Sequence, residues 1–245
     1  MKRRDWIGWA FVSPWVIGFL VFTLGPFLAS IYFSFTRYDV VSEPVWVGTA
    51  NYRALFQDDP TFWRSLWVTV RYALGAVPIG TAAAIGLALL LNLNVKGIAL
   101  FRTLFYLPSI VPAVATSMLF LFLLNPQLGL VNLTLRKLGI PDPAWLADAK
   151  WAPWTFVLMG LWGVGGSMVI YLAGLKDIPS HLYEAAILDG AGAWRRMRAI
   201  TLPLLTPVIF FNVVMGMIGS FQVFTQAFIL TGGGPEESTL FYALY

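Results

Sequence analysis

Apolar residues in this chain are gathered into long blocks. Five stretches, 6–36, 72–95, 103–135, 151–175 and 199–235, contain no Asp, Glu, Lys or Arg, and each runs for 24 to 37 residues. A helix needs roughly 20 mainly apolar residues to cross a bilayer, so every block is long enough. The pattern predicts spans over 7–35, 67–92, 101–124, 153–175 and 202–230. A sixth is expected to begin near Thr239 and to stop unfinished at Tyr245. The predicted fold class is all-α, a polytopic helical membrane protein of about six transmembrane helices with the last one truncated, and residues 1–245 form a single transmembrane domain.

Composition agrees with that reading. Charged residues make up 11% of the chain against about a quarter in a soluble domain, 58% of residues are hydrophobic, and the mean hydropathy is +0.74. A soluble domain, a disordered chain and a secreted disulfide scaffold are excluded. With no cysteine there is no disulfide, thiolate metal site or cysteine nucleophile, and the single histidine, His181, leaves no histidine cluster. The start, Met1-Lys2-Arg3-Arg4, resembles a signal-peptide head. The apolar run behind it is twice the usual length and ends at no convincing cleavage site, so it reads as an uncleaved first helix.

Charge placement sets the orientation. With the N-terminus inside, residues 1–5, 94–102 and 176–198 face the cytoplasm. They hold Lys2, Arg3, Arg4, Lys96, Arg102, Lys176, Arg195, Arg196 and Arg198, nine bases against four acids. The longer outer segments hold seven bases and eight acids. Short basic loops belong on the inside, and the net charge of +4 follows from topology, not from a nucleic-acid partner. The outer segment 44–64 is rich in Trp, Tyr and Phe and predicts a surface-lying helical piece broken at Asp59-Pro60. Residues 125–150 form the second outer excursion.

Helix-perturbing residues recur inside the spans: Gly25-Pro26, Pro78, Pro108 with Pro112, Gly163 with Gly165 and Gly166, and Pro203 with Pro207. Irregular backbone at membrane depth persists where protein buries it or where it lines a cavity. The Gly163, Gly165 and Gly166 cluster fits either a helix-packing face or a groove wall. No phosphate loop, His-Glu metal motif or nucleophile elbow is present, and Gly232-Gly233-Gly234 is followed by Pro235 where a phosphate loop needs lysine. No catalytic, cofactor or metal site is expected. The charge-free runs lack the carboxylates that proton- or sodium-coupled carriers use, so the energy for any transport is expected to come from elsewhere.

The longest inner segment, 176–200, is ordered. Pro179 suits a first helical turn, Leu182, Ala185, Ala186 and Asp189 recur at helical spacing, and Gly190 with Gly192 breaks the helix before a second short one over 193–200. Spacing alone fits a docking device or an interfacial helix with snorkelling arginines. Glu184-Ala185-Ala186, then Asp189-Gly190-Ala191, then Ile200 with Leu202-Pro203 resembles the "EAA" loop of permease subunits of ATP-binding-cassette importers. The resemblance implies that this loop is the coupling helix seated in a cleft of the ATPase. Met197 stands where many members have Phe.

Asn51-Tyr52-Arg53, the stretch 101–108 with Phe105-Tyr106-Leu107-Pro108, and Ser220-Phe221-Gln222-Val223-Phe224 ahead of the glycine run look like the carbohydrate-type permeases, which include the maltose, multiple-sugar and glycerol-3-phosphate importers. That family implies a second homologous permease, two cytoplasmic ATPases carrying ATP and Mg, an outer solute-binding protein and a sugar substrate. By the same resemblance, Trp162, Gly163, Gly166, Ser220, Phe221, Gln222, Phe224 and Gln226 line the translocation path. Gln222 and Gln226, four apart on one helix face and flanked by Phe221, Phe224 and Phe228, fit either sugar binding or helix–helix hydrogen bonding. The alternatives are a permease for a non-sugar solute and a self-contained secondary carrier.

Overall fold

The computed structural model describes residues 3–245, with side chains from Trp6 onward. The basic head read from Lys2, Arg3 and Arg4 has its side chains outside the described residues. The chain divides into two compact units, residues 1–63 and 64–245.

In the first unit, α1 (Arg3–Phe19) and α2 (Gly25–Ser34) are joined by a π-helical stretch, Leu20–Leu24. Pro26 lacks the N–H that a regular ladder needs, and the widened turn just before Gly25-Pro26 takes up the mismatch. The helix is continuous enough to form one apolar span, Trp6–Ser34. A short antiparallel ribbon follows, β1 (Thr36–Arg37) on β2 (Val45–Trp46), with Thr36 opposite Trp46. The Asn51 amide, at the start of α3 (Ala50–Arg53), donates to the Ser34 carbonyl at 2.9 Å and the Thr36 carbonyl at 2.8 Å. Tyr52 meets the Ser34 hydroxyl at 2.7 Å. The Asn51-Tyr52-Arg53 motif thus closes the C-terminus of α2, whose last carbonyls have no partner within the helix.

Helix α4 (Pro60–Leu91) starts at the expected break. Asp59 accepts hydrogen bonds from the backbone N–H groups of Thr61 and Phe62, as an N-cap does. Beyond it lie α5 (Ile98–Tyr106) and α6 (Ala113–Leu123), whose axes differ by 98° across Val111-Pro112. Next come α7 (Leu130–Lys137) within segment 125–150, and α8 (Ala152–Trp162) and α9 (Gly165–Lys176), bent by 50° at Gly163-Val164. Among the described residues, three helices are long and apolar enough to cross a membrane, and up to five when each bent pair counts as one span.

Alanines on one face of α4 let α9 approach closely. Ala84, Ala88 and Leu91 pack with Met168, Tyr171, Leu172 and Leu175, and with Leu205 of α12 (Leu202–Phe221). A second cluster joins Phe156 and Met159 of α8 to Ala227 and Leu230 of α13 (Thr225–Leu230) and to Phe241.

Two boundaries differ from the sequence reading. The helix expected over 202–230 runs instead as Ala193–Phe221 and is separated from α13 by a break at residues 222–224. A π-helical stretch, Met197–Thr201, sits ahead of Pro203 and absorbs its missing N–H, so the helix passes through the predicted boundary. Residues 239–245, expected to open a sixth helix, form turns. Their polar groups are satisfied locally: the Thr239 hydroxyl bonds the Gly234 carbonyl and the Thr231 hydroxyl, both at 2.7 Å, and Tyr242 N–H donates to Thr69 at 2.8 Å.

Candidate functional site: the helical hairpin and the polar cavities

The segment 176–200 folds as a helical hairpin, α10 (Ser180–Leu188) followed by α11 (Ala193–Arg196). The α10 end is closed by paired backbone bonds: Ala191 N–H donates to the Ala186 carbonyl at 2.8 Å and Gly190 N–H to the Ile187 carbonyl at 3.0 Å. This Schellman closure requires a left-handed residue at Gly190, and its φ is +75°. A Cβ there would meet nothing within 4 Å, so the requirement for glycine is conformational and not steric.

Helix α10 has no buried residue. Glu184, Ala185, Asp189 and Gly190 are exposed, Ala186 and Ala191 partly so, and Leu188 is 89% exposed at the tip. The hairpin is tied to the span by Tyr183, whose hydroxyl lies 2.9 Å from that of buried Thr201. Neither residue was singled out from the sequence; the only signal was a tyrosine one position before Glu184. Met197 and Leu202 line an apolar groove with Trp194 and the Val77–Leu89 side of α4. Met197, Ile200, Leu202 and Pro203 therefore belong to the stem, and the tip is built from Glu184, Ala185, Ala186, Asp189, Gly190 and Ala191.

Two polar cavities lie within the second unit and share Tyr72, Gly160 and Gly163 in their walls. The first, about 210 Å³, takes its polar lining from Thr81, Ser167, Tyr171, Asn212 and Ser220. The second, about 230 Å³, is lined by Ser109, Thr116, Trp162 and Gln226. Of the expected path residues, Gly163 lines both, Ser220 the first, and Trp162 and Gln226 the second. Phe221, Gln222 and Phe224 line neither, and Gly166 sits beside Ser109, to which a Cβ would come within 3.9 Å.

The expectation that Gln222 and Gln226 share a helix face needs correction. Gln222 caps α12, with its N–H on the Gly219 carbonyl at 3.1 Å, whereas Gln226 lies on α13 beyond the break. Thr81, Ser167, Tyr171 and Asn212 were missed; each is an isolated polar residue inside an apolar run, which in a membrane helix is a signal in itself.

Asn132 is 1% exposed, donates to the Asn125 carbonyl at 3.3 Å and accepts from the Trp145 indole at 2.7 Å. Arg136 pairs with Asp142, and this charge-assisted hydrogen bond holds Asp142 below the usual carboxylate range.

Broken apolar helices, with polar cavities among those of the second unit and an ordered hairpin between two of its spans, define a multi-pass transport subunit. The chain belongs to the family "Binding-protein-dependent transport system inner membrane component", which it matches over residues 76–245, and it is a permease of the ATP-binding-cassette importer type. It is 44% identical to the probable ABC transporter permease protein YesP of Bacillus subtilis (strain 168), covering 100% of this chain and 80% of that protein. To the lactose transport system permease protein LacF of Rhizobium radiobacter it is 38% identical, covering 100% and 84%. Among solved structures, a chain of the bacterial alginate ABC transporter in complex with alginate pentasaccharide-bound periplasmic protein superposes with a TM-score of 0.82 at 27% identity, covering 98% of this chain and 80% of that one.

Proposed function

We propose that this chain is the membrane-spanning subunit through which a sugar enters the cell, working with a second homologous permease, two cytoplasmic ATPases and an outer solute-binding protein. The observation that carries the reading is the inner hairpin: a closed, exposed helical tip with acids at Glu184 and Asp189, tied to a span through Tyr183 and Thr201. Such an element transmits force from a partner seated on it. The five spans and the loop 176–200 act as one transmembrane domain with the N-terminus inside, and ATP and Mg belong to the partner ATPases. Relatives that carry lactose or trehalose/maltose in their names support sugar as the solute class. Uptake of labelled oligosaccharide into proteoliposomes is expected to need both ATP and the binding protein; uptake driven by an ion gradient alone would defeat the proposal.

Orientation is tested by reporter cysteines, for which a chain without native thiols is suited. A cysteine at position 190 is expected to label only from the cytoplasmic side and one at position 234 only from outside. The reverse pattern would remove the docking role of the hairpin.

The path reading separates the two glutamines. Gln226 lines a cavity and Gln222 does not, so Gln226→Leu is expected to lower uptake about tenfold, the scale of a lost hydrogen bond to a substrate polar group, while Gln222→Leu stays near wild type. Equal effects of the two substitutions would place the sugar elsewhere.

A further inference from the structure

A third cavity, about 480 Å³, opens between the N-terminal part of α4, the start of α8 and the 231–239 loop. Arg64, Trp67 and Arg71 reach it from one face of α4, at spacings of three and four residues. Lys150 and Trp154 face them from the start of α8. Helix α4 has 32 residues, about 48 Å at 1.5 Å per residue, against a hydrocarbon core of about 30 Å. Its last twenty residues are free of charge, which places Arg71 at the outer edge of the apolar layer. A guanidinium at that edge can reach the interface, and here Arg71 lines the cavity.

Charge pairing in the cavity is incomplete. Arg64 is engaged: it pairs with Glu237 at 3.0 Å and donates to the Glu236 carbonyl. Among the described residues neither Arg71 nor Lys150 takes part in an ion pair. The Glu236 carboxylate also lines the cavity and is likewise unpaired, so the site carries one net positive charge and two free cations. The loop that closes it is held in shape, with Glu236 and Glu237 at φ +50° and +56°, a conformation costly for residues with a Cβ and pinned by Arg64.

We infer that this cavity is an oxyanion site, in which Arg71 and Lys150 hold a carboxylate, sulfate or phosphate while Trp67 and Trp154 cover the flat or apolar part of the same ligand. Guanidinium recognises such groups through two parallel hydrogen bonds, and a volume of this size suits a small ligand. The oxyanion can come from an acidic saccharide or from a phospholipid headgroup at the outer interface. The saccharide source rests on the import reading above; the site itself does not.

The experiment uses the assembled transporter in nanodiscs, with three probes: digalacturonate, neutral galactobiose, and phosphatidylglycerol against a phosphatidylcholine background. Binding is read by tryptophan fluorescence and lipid retention by native mass spectrometry. Digalacturonate or phosphatidylglycerol is expected to bind, more weakly as salt rises. Arg71→Gln and Lys150→Gln are each expected to weaken binding about tenfold or more. Arg71→Lys, which keeps the charge, is expected to retain most of the affinity, separating lost charge from a lost fold. Digalacturonate binding with galactobiose inert supports the site with a saccharide as source; retention of phosphatidylglycerol that Arg71→Gln abolishes supports it with a lipid as source. Failure of both acidic probes to bind the wild type, or binding indifferent to all three substitutions, overturns the inference. ATP-driven uptake of a neutral sugar, measured in parallel, reports on the import proposal independently.

Discussion

Gly190→Pro is expected to abolish uptake and to release the ATPase, while the variant still inserts in the membrane and pairs with the second permease. Proline fixes φ near −65°, and Gly190 sits at +75°. Proline also removes the N–H that Gly190 donates to the Ile187 carbonyl, so the closure of α10 fails on two counts, at a cost of about 3 kcal/mol or more. Gly190→Ala supplies the graded control. No atom lies within 4 Å of the added Cβ, so alanine pays only the left-handed backbone cost of about 1–2 kcal/mol and is expected to keep partial uptake. Glu184→Lys leaves the hairpin intact and reverses a charge at its exposed tip. If the ATPase buries a base against Glu184, the loss is about 2–5 kcal/mol of association. Pull-down of the ATPase with each purified variant, beside uptake assays, decides the matter; Gly190→Pro that retains the ATPase and transports normally would show that this hairpin does not couple.

Much of this arrangement was legible in the sequence because two signals there are physically strong. Charge-free runs report membrane spans directly, since few chains can afford 24 consecutive residues without a charge for any other reason. Gly190 followed by Gly192 announced a helix end, and the backbone at Gly190 has the conformation that only glycine adopts freely. The motif at Asn51 was visible as a resemblance, but its work, closing the last carbonyls of α2, depends on contacts 15 and 17 residues away.

What could not be read was where helices stop inside an apolar run. Periodicity is silent when every face is apolar, so the break after Phe221 was invisible and Gln222 and Gln226 were joined on one face. Pro203, in turn, suggested a boundary that a π-helical stretch simply bypasses. The rest of the first cavity's polar lining was hidden for a related reason: Thr81, Ser167, Tyr171 and Asn212 are brought together from α4, α9 and α12, and no spacing within one helix encodes that meeting.

The glycines of the α8–α9 bend show how the structure separates two readings that the sequence left open, and they supply a second large expected effect. A Cβ on Gly165 would lie 2.2 Å from the Phe105 carbonyl oxygen and 2.8 Å from Tyr106 Cα. Both obstacles are backbone, so neither can swing aside as a side chain does, and Gly165 is itself buried. This residue is the packing seam between α9 and α5. Gly163, two positions earlier, would meet only the Gly160 carbonyl at 3.6 Å and lines both polar cavities; it is wall. Gly166→Ala would meet Ser109 at an ordinary 3.9 Å. Gly165→Ala is therefore expected to cost about 3 kcal/mol, the top of the usual range for overpacking. For a chain of this length that corresponds to a fall in Tm of roughly 6–12 °C, with loss of folded protein and of uptake together. Gly166→Ala is expected to keep its Tm within about 2 °C of wild type, as a substitution without a clash should. Gly163→Ala is expected to fold normally and to change uptake alone, because a methyl group there narrows both cavities without touching the seam. Thermal unfolding of the three purified variants in one detergent, beside uptake in proteoliposomes, reads both effects. A Gly165→Ala protein as stable as Gly166→Ala would mean that α9 and α5 do not meet at this residue, and the assignment of seam and wall would fall with it.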